Sequence, residues 1–183
     1  MKALNEDLLY LASENTLVNL KADATELLKS YHETETIITN KSTSLLQVLF
    51  PVFVGIFGYI LVEIQAKSNP KLFWFACLEE IVIFLSCYYL FESLYLKKVA
   101  LSGSKPSNML HDDIVKNDKN ENTLQYLRLR VFGLQNAITA CEASHDKRKT
   151  NFKNALNILI IGTSVVVVIF SLVLIGQALF PHK

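Results

Sequence analysis

Apolar residues in this chain gather into three long blocks, and the segments between them are polar but helix-patterned. Ser42 to Val62 runs for 21 residues without a charged side chain, and Asn154 to Pro181 runs for 28. Leu72 to Leu96 is a 25-residue block interrupted only by Glu79, Glu80 and Glu92. A helix rises about 1.5 Å per residue, so about 20 apolar residues cross a bilayer core. The pattern predicts an all-α integral membrane protein with transmembrane helices at 42–63, 72–96 and 154–180.

The polar segments carry their own periodicity. Residues 1–41 read as one cytoplasmic amphipathic helix, unbroken over 3–40. Leu4, Leu8, Leu11, Asn15, Val18 and Ala22 form one row, with Leu20, Ala24, Leu27 and Tyr31 beside it. Ser68-Asn69-Pro70 marks a short outer turn within 64–71. Residues 97–121 read as a helix extension to about Leu101 and then a loop, opened by the breaker cluster Ser102 to Asn108. Over 122–153, Leu124, Leu127, Val131, Leu134, Ile138 and Cys141 alternate spacings of three and four, a seam of the coiled-coil type. This segment runs on into the third span, and 181–183 is a short tail. Neither seam can leave its apolar row in water. The expectation is a helical stalk continuous with the spans, its seams packed on each other or on copies in a symmetric homo-oligomer.

Charge distribution orients the chain. Of 18 Lys and Arg, four precede the first span and eleven lie between Lys97 and Lys153; Lys67, Lys71 and Lys183 remain for the other face. Fifteen against three predicts a cytoplasmic N-terminus in an inner, multi-pass membrane location. The net charge of +1 says nothing about nucleic acid or acidic partners, and no nucleic acid duplex partner is expected. The polar, helix-patterned start does not read as a cleaved presequence. Cys77, Cys87 and Cys141 avoid the outer loop and read as reduced, structural thiols.

No motif for catalysis stands out: there is no Gly-rich phosphate loop and no nucleophile with a base at a recognisable interval. His32, His111, His145 and His182 are scattered, so neither a metal nor another cofactor is expected. The informative residues are intramembrane. Glu79 and Glu80 lie roughly 12 Å into the second span at about 1.5 Å per residue. A charge against lipid there costs at least about 2.5 kcal/mol, so such residues face protein or water. Glu79, Ser86 and Ser93 share a face, as do Asn157, Ser164 and Ser171 (then Ala178), and Gln47, Pro51, Gly55, Gly58, Val62 and Gln65 form a small or polar row. Such rows serve either as close helix–helix seams or as the lining of a water-filled path. Pro51, Gly55 and Gly58 are hinge candidates. On the cytoplasmic side Lys97, Lys98, Lys105, Arg128, Arg130, Lys147, Arg148 and Lys149 can meet an anionic ligand or lipid headgroups. Arg128 and Arg130 stand about 20 residues from the membrane end of their helix, beyond easy reach of lipid, and are the preferred ligand-contacting or stalk salt-bridge residues, with Lys105, Lys97 and Lys98 as further ligand candidates.

Helical cytoplasmic rods on a few spans, no catalytic motif and the Gly103-Ser104-Lys105-Pro106 connector resemble the small membrane effectors of bacterial anti-phage operons, the Hailong-type effector channel above all. That resemblance implies an oligomeric ion channel opened by a nucleotide signal from a partner enzyme; no functional residue is carried over from it. The resulting expectation is a homo-oligomer, a tetramer by preference, that conducts ions or permeabilises the bilayer. The alternative is a non-conducting anchored adaptor whose helices recruit a protein.

Overall fold

The computed structural model describes residues 6–66, 70–95 and 119–179. All regular structure among them is helical: α1 spans Glu6–Leu11, α2 Glu14–Ala66, α3 Pro70–Leu94 and α4 Lys119–Leu179. Three of these helices, α2, α3 and α4, are long and apolar enough to cross a membrane. Residues 67–69 of the expected outer turn, 96–118 of the expected cytoplasmic extension and loop, and the tail lie outside the described residues, as do the ligand candidates Lys97, Lys98 and Lys105.

The single helix expected over 3–40 is divided at Ala12 and Ser13. Ser13 supplies the reason. Its hydroxyl accepts from the Thr16 backbone N–H at 3.4 Å and pairs with the Thr16 hydroxyl at 2.9 Å. Its carbonyl accepts the first helical bond, from the Leu17 N–H at 3.0 Å. With Glu14 following in the first turn, Ser13 is an N-cap that starts α2 afresh. At the other polar segment, α4 begins at Lys119, slightly before the expected start near Asn122, and passes unbroken into the third apolar block.

The described residues form two compact units, with α2 and α4 contributing a segment to each. The polar unit holds α1, α2 up to Thr36 and α4 up to Asp146. Its core is built on the α4 row read from the sequence: Leu127, Val131, Leu134, Ile138 and Cys141 are all buried. Leu9 and Leu17 close one cluster with Leu127 and Val131, and Leu28 closes another with Leu134, Ile138 and Cys141. The α2 partner row is the expected one only in part, since Ala24 and Tyr31 of the second row pack on this cluster while Leu20 and Leu27 are exposed. Leu8, Leu11 and Val18 are exposed, whereas Leu17 and Leu28 are sealed. The break at Ser13 resets the helical phase, and the enclosed face then runs Leu17, Lys21, Ala24, Leu28, Tyr31, Glu35 in spacings of three and four.

The apolar unit comprises α2 from Ile37, α3 and α4 from Lys147. Its core is Leu46, Leu49, Ile83, Cys87, Leu90 and Ala155, flanked by Leu45, Phe53, Ile56, Tyr89, Phe152 and Leu159. The three-four spacing continues along α2 here as Ile38, Ser42, Leu46, Leu49, Phe53, Ile56, Ile60 and Glu63. Contacts between α3 and α4 pair Phe75 with Phe170, Glu79 with Thr163, Ser86 with Ala155 and Glu92 with Lys147. One number rises as the other falls, so these helices are antiparallel. Gly162 lets them close: a Cβ there would lie 2.7 Å from Val82 Cγ1. Only 11%, 28% and 6% of the most apolar windows of α2, α3 and α4 are buried within the described residues, which leaves most of that apolar surface facing outward.

Candidate functional site

The polar row of α3 points into the chain's own bundle. Ser86 and Ser93 are fully enclosed and Glu79 nearly so. Each is answered by a neighbouring helix. The Ser86 hydroxyl donates to the Ala155 carbonyl at 2.9 Å, a bond that draws α3 against the backbone of α4. The Ser93 hydroxyl pairs with the Ser42 hydroxyl at 2.8 Å and also donates to the Leu90 carbonyl at 3.0 Å, tying α3 to α2. Thr163 donates its hydroxyl to Glu79 Oε2 at 3.3 Å. A buried hydroxyl satisfied across a helix pair is the ordinary device for joining spans where no water is present. The sequence marked the α3 side of these pairs; Ser42 and Thr163 were not singled out, because single hydroxyls on apolar helices leave no periodic trace.

Glu80 differs from its neighbour. Both of its carboxylate oxygens are enclosed and neither has a hydrogen-bond partner among the described residues. Adjacent helical positions are about 100° apart, so the contact that satisfies Glu79 cannot serve Glu80 as well.

The other two rows face outward. On α4, Asn157, Ser164 and Ser171 are all exposed. Ser171 returns its hydroxyl to the Val167 carbonyl of its own helix at 2.9 Å, a bond that needs no neighbour. Asn157 has both a carbonyl and an amide to satisfy and presents them on the outer surface of an apolar block. On α2, Gln47, Pro51, Gly55, Val62 and Gln65 are exposed and Gly58 is half-buried, opposite the face that packs on α3. A Cβ on Gly55 or Gly58 would meet nothing within 4 Å, so neither glycine is required by packing inside the chain. Helix α2 continues through Pro51. Ala178 lies where no side chain is described.

In the polar unit Arg128 is engaged with α1. Its Nη2 donates to the Tyr10 carbonyl at 2.8 Å and its Nε to the Leu9 carbonyl at 3.3 Å, while the guanidinium lies 5.0 Å from the Tyr10 ring centroid. The last carbonyls of a helix have no partner within it and carry its negative dipole end. Arg128 therefore braces the C-terminus of α1, a role invisible without knowing that α1 ends at Leu11. Arg130 points elsewhere and its Nε is enclosed without a hydrogen-bond partner. Tyr31 stacks edge-on to His145 at 5.9 Å, and burial, followed by Glu142, Asp146 and Cys141, pushes its phenol above the ordinary range.

Where the apolar unit begins, Lys147 pairs with Glu92 at 3.8 Å, both partly exposed, while Arg148 and Asn151 are buried. Among the described residues no group of three or more His, Cys, Asp or Glu side chains converges as a metal site. No protein-family model matches the chain, and comparison with curated proteins and with solved structures finds no significant match.

Proposed function

We propose that the chain works as a membrane-embedded homo-oligomer, with a tetramer as the favoured assembly, that conducts ions or permeabilises the bilayer. Its cytoplasmic helices would sense an anionic ligand, a nucleotide signal by preference, or a partner protein. The carrying observation is the outward Asn157, one turn inside the apolar block of α4. An amide facing acyl chains leaves four hydrogen-bonding positions unmet. Placed against copies of itself or an enclosed column of water, it costs little. Gln47 on α2 and Ser164 on α4 add polar groups to outward faces in the same way. Glu80, lacking a hydrogen-bond partner among the described residues, is the group we assign to cation attraction, with Glu79 beside it.

Transmission has a mechanical basis, since α2 and α4 each run unbroken from polar into apolar sequence. A ligand opens such an assembly only by binding its open arrangement more tightly than its closed one. The Lys and Arg asymmetry supports an inner-membrane location with a cytoplasmic N-terminus, and the layout suits a role in anti-phage defence.

The inward, fully answered row Glu79, Ser86 and Ser93 supports a second reading, in which the spans only anchor the polar helices that recruit another protein. Proteoliposome flux separates the two. Under the first reading reconstituted protein passes ions, Asn157→Leu abolishes flux, and Glu80→Gln lowers cation preference. No flux in sealed, oligomer-containing vesicles with any anionic ligand or partner present would leave the anchored adaptor.

A further inference from the structure

Arg148 is 8% exposed and Asn151 is 9% exposed, one helical turn apart on the same side of α4. Arg148 Nε and Asn151 Nδ2 are both enclosed without a hydrogen-bond partner. Arginine cannot escape by giving up its proton, so a guanidinium whose Nε is enclosed and unanswered among the described residues is costly. The carboxylates of the apolar unit do not answer it. Glu92 is taken by Lys147 at 3.8 Å. Glu80 is 12 residues from Glu92 along α3, about 18 Å at the helical rise. Glu79 lies beyond Glu80, and Glu63 stands near the far end of α2.

The antiparallel register gives Arg148 neutral company. Ser86 bonds to Ala155. Seven residues on from Ser86 along α3 is Ser93, and seven back from Ala155 along α4 is Arg148, about 10.5 Å along each axis. Arg148 is therefore level with Ser93 and with Ser42, its bonded partner. The layer holds one enclosed cation, one enclosed amide donor and two hydroxyls, with Lys147, Lys149 and Lys153 following along the same stretch of α4. Its one carboxylate, Glu92, is already paired with Lys147, which leaves donors and positive charge in excess.

We infer that this layer binds one phosphate-type anion, from a phospholipid headgroup or a free phosphate, through Arg148 and Asn151. A planar guanidinium and a nearby amide offer the parallel N–H donors that phosphate oxygens accept. The lysines raise the local concentration of such anions, and the exposed fractions of Arg148 and Asn151 are the approach. The site requires only the three-helix packing of the apolar unit and stands whether or not the assembly conducts.

The test uses the full chain in micelles of an uncharged maltoside, which holds no phosphate, comparing chloride with inorganic phosphate at equal ionic strength and pH. A second arm keeps chloride and adds phosphatidylglycerol to the micelle. The thermal unfolding midpoint should rise by several degrees in the arm that holds the true source. That rise should be lost in R148Q and weakened in N151L. In chloride and maltoside alone, R148M should be at least as stable as the parent, since it removes a largely buried guanidinium whose Nε is unanswered. A parent midpoint equal in all three conditions overturns the inference. So does a full rise in R148Q, or a loss of stability for R148M in chloride, which would mean that protein groups already pair the guanidinium.

Discussion

Gly162 and Gly133 sit in the same helix, and the same substitution should act on them with opposite sign. At Gly162 a new Cβ would lie 2.7 Å from Val82 Cγ1 and 3.0 Å from Cγ2, while at Gly133 it would meet nothing within 4 Å. Carbon atoms rest about 3.5–4.0 Å apart, so about 0.8 Å or more must come from a helix shift or a turn of Val82. Valine holds one χ1 rotamer about 90% of the time in a helix, so it yields poorly. Overpacking of this kind costs about 1–3 kcal/mol, against a gain of up to about 1 kcal/mol for replacing glycine by alanine within a helix. Gly162→Ala should therefore be neutral to destabilising by about 2 kcal/mol, and Gly133→Ala should stabilise by about 1 kcal/mol. Reversible denaturant unfolding in mixed micelles reads both. In a Val82→Ala background, which removes the two Cγ atoms, Gly162→Ala should turn stabilising and give a coupling of about 1–2 kcal/mol. Equal stabilisation at both glycines, or no coupling with Val82, would refute the close approach of α3 and α4 at this point.

Four other expectations follow from the same packing. Ile138, 2% exposed, fills the cluster with Leu28, Leu134 and Cys141. Ile138→Ala should cost about 2–5 kcal/mol in the same unfolding assay. Arg128→Ala frees the Leu9 and Tyr10 carbonyls of α1. Limited proteolysis near Ala12–Ser13 should quicken about fivefold, the equivalent of about 1 kcal/mol of local stability, and Arg128→Lys should recover part of it. Ser93→Ala strands the enclosed Ser42 hydroxyl and should cost about 1 kcal/mol, whereas Ser171→Ala, whose hydroxyl bonds only to its own helix, should be near neutral. The Tyr31 phenol is raised by burial and then by Glu142, Asp146 and Cys141. The folded chain thus holds that proton to higher pH than the unfolded chain, so its contribution is complete below the ordinary tyrosine range near pH 10 and drains away above it. Tyr31→Phe should flatten that alkaline decline, as measured by unfolding between about pH 9 and 11.

How much of the candidate site was legible depended on which side of a helix a residue took. The row Glu79, Ser86 and Ser93 and the row Asn157, Ser164 and Ser171 look alike in sequence, each repeating every seven residues. Packing separates them, sending the first into the bundle and the second to its outer surface. Periodicity reports that residues share a face; it does not report what the face meets. Arg128 shows the same limit, since its partners are backbone carbonyls 118 and 119 residues away, and backbone groups have no sequence signature.

The sequence alone determined that the chain is helical and carries three segments suited to a membrane, because an uncharged run of over 20 residues has few other stable homes. It also determined the α4 seam from Leu127 to Cys141, where apolar residues mark every position of the three-four spacing. Tertiary structure decided the phase of α2. Its enclosed face includes Lys21, Glu35, Ser42 and Glu63, polar residues that a hydrophobic pattern discards. It decided too that Ser13 ends one helix and begins another, and that Arg148, though flanked by partly or fully exposed lysines, is buried. The physical reason is the same in each case. Burying a polar group is costly or neutral according to the partners it finds, and those partners lie on other helices.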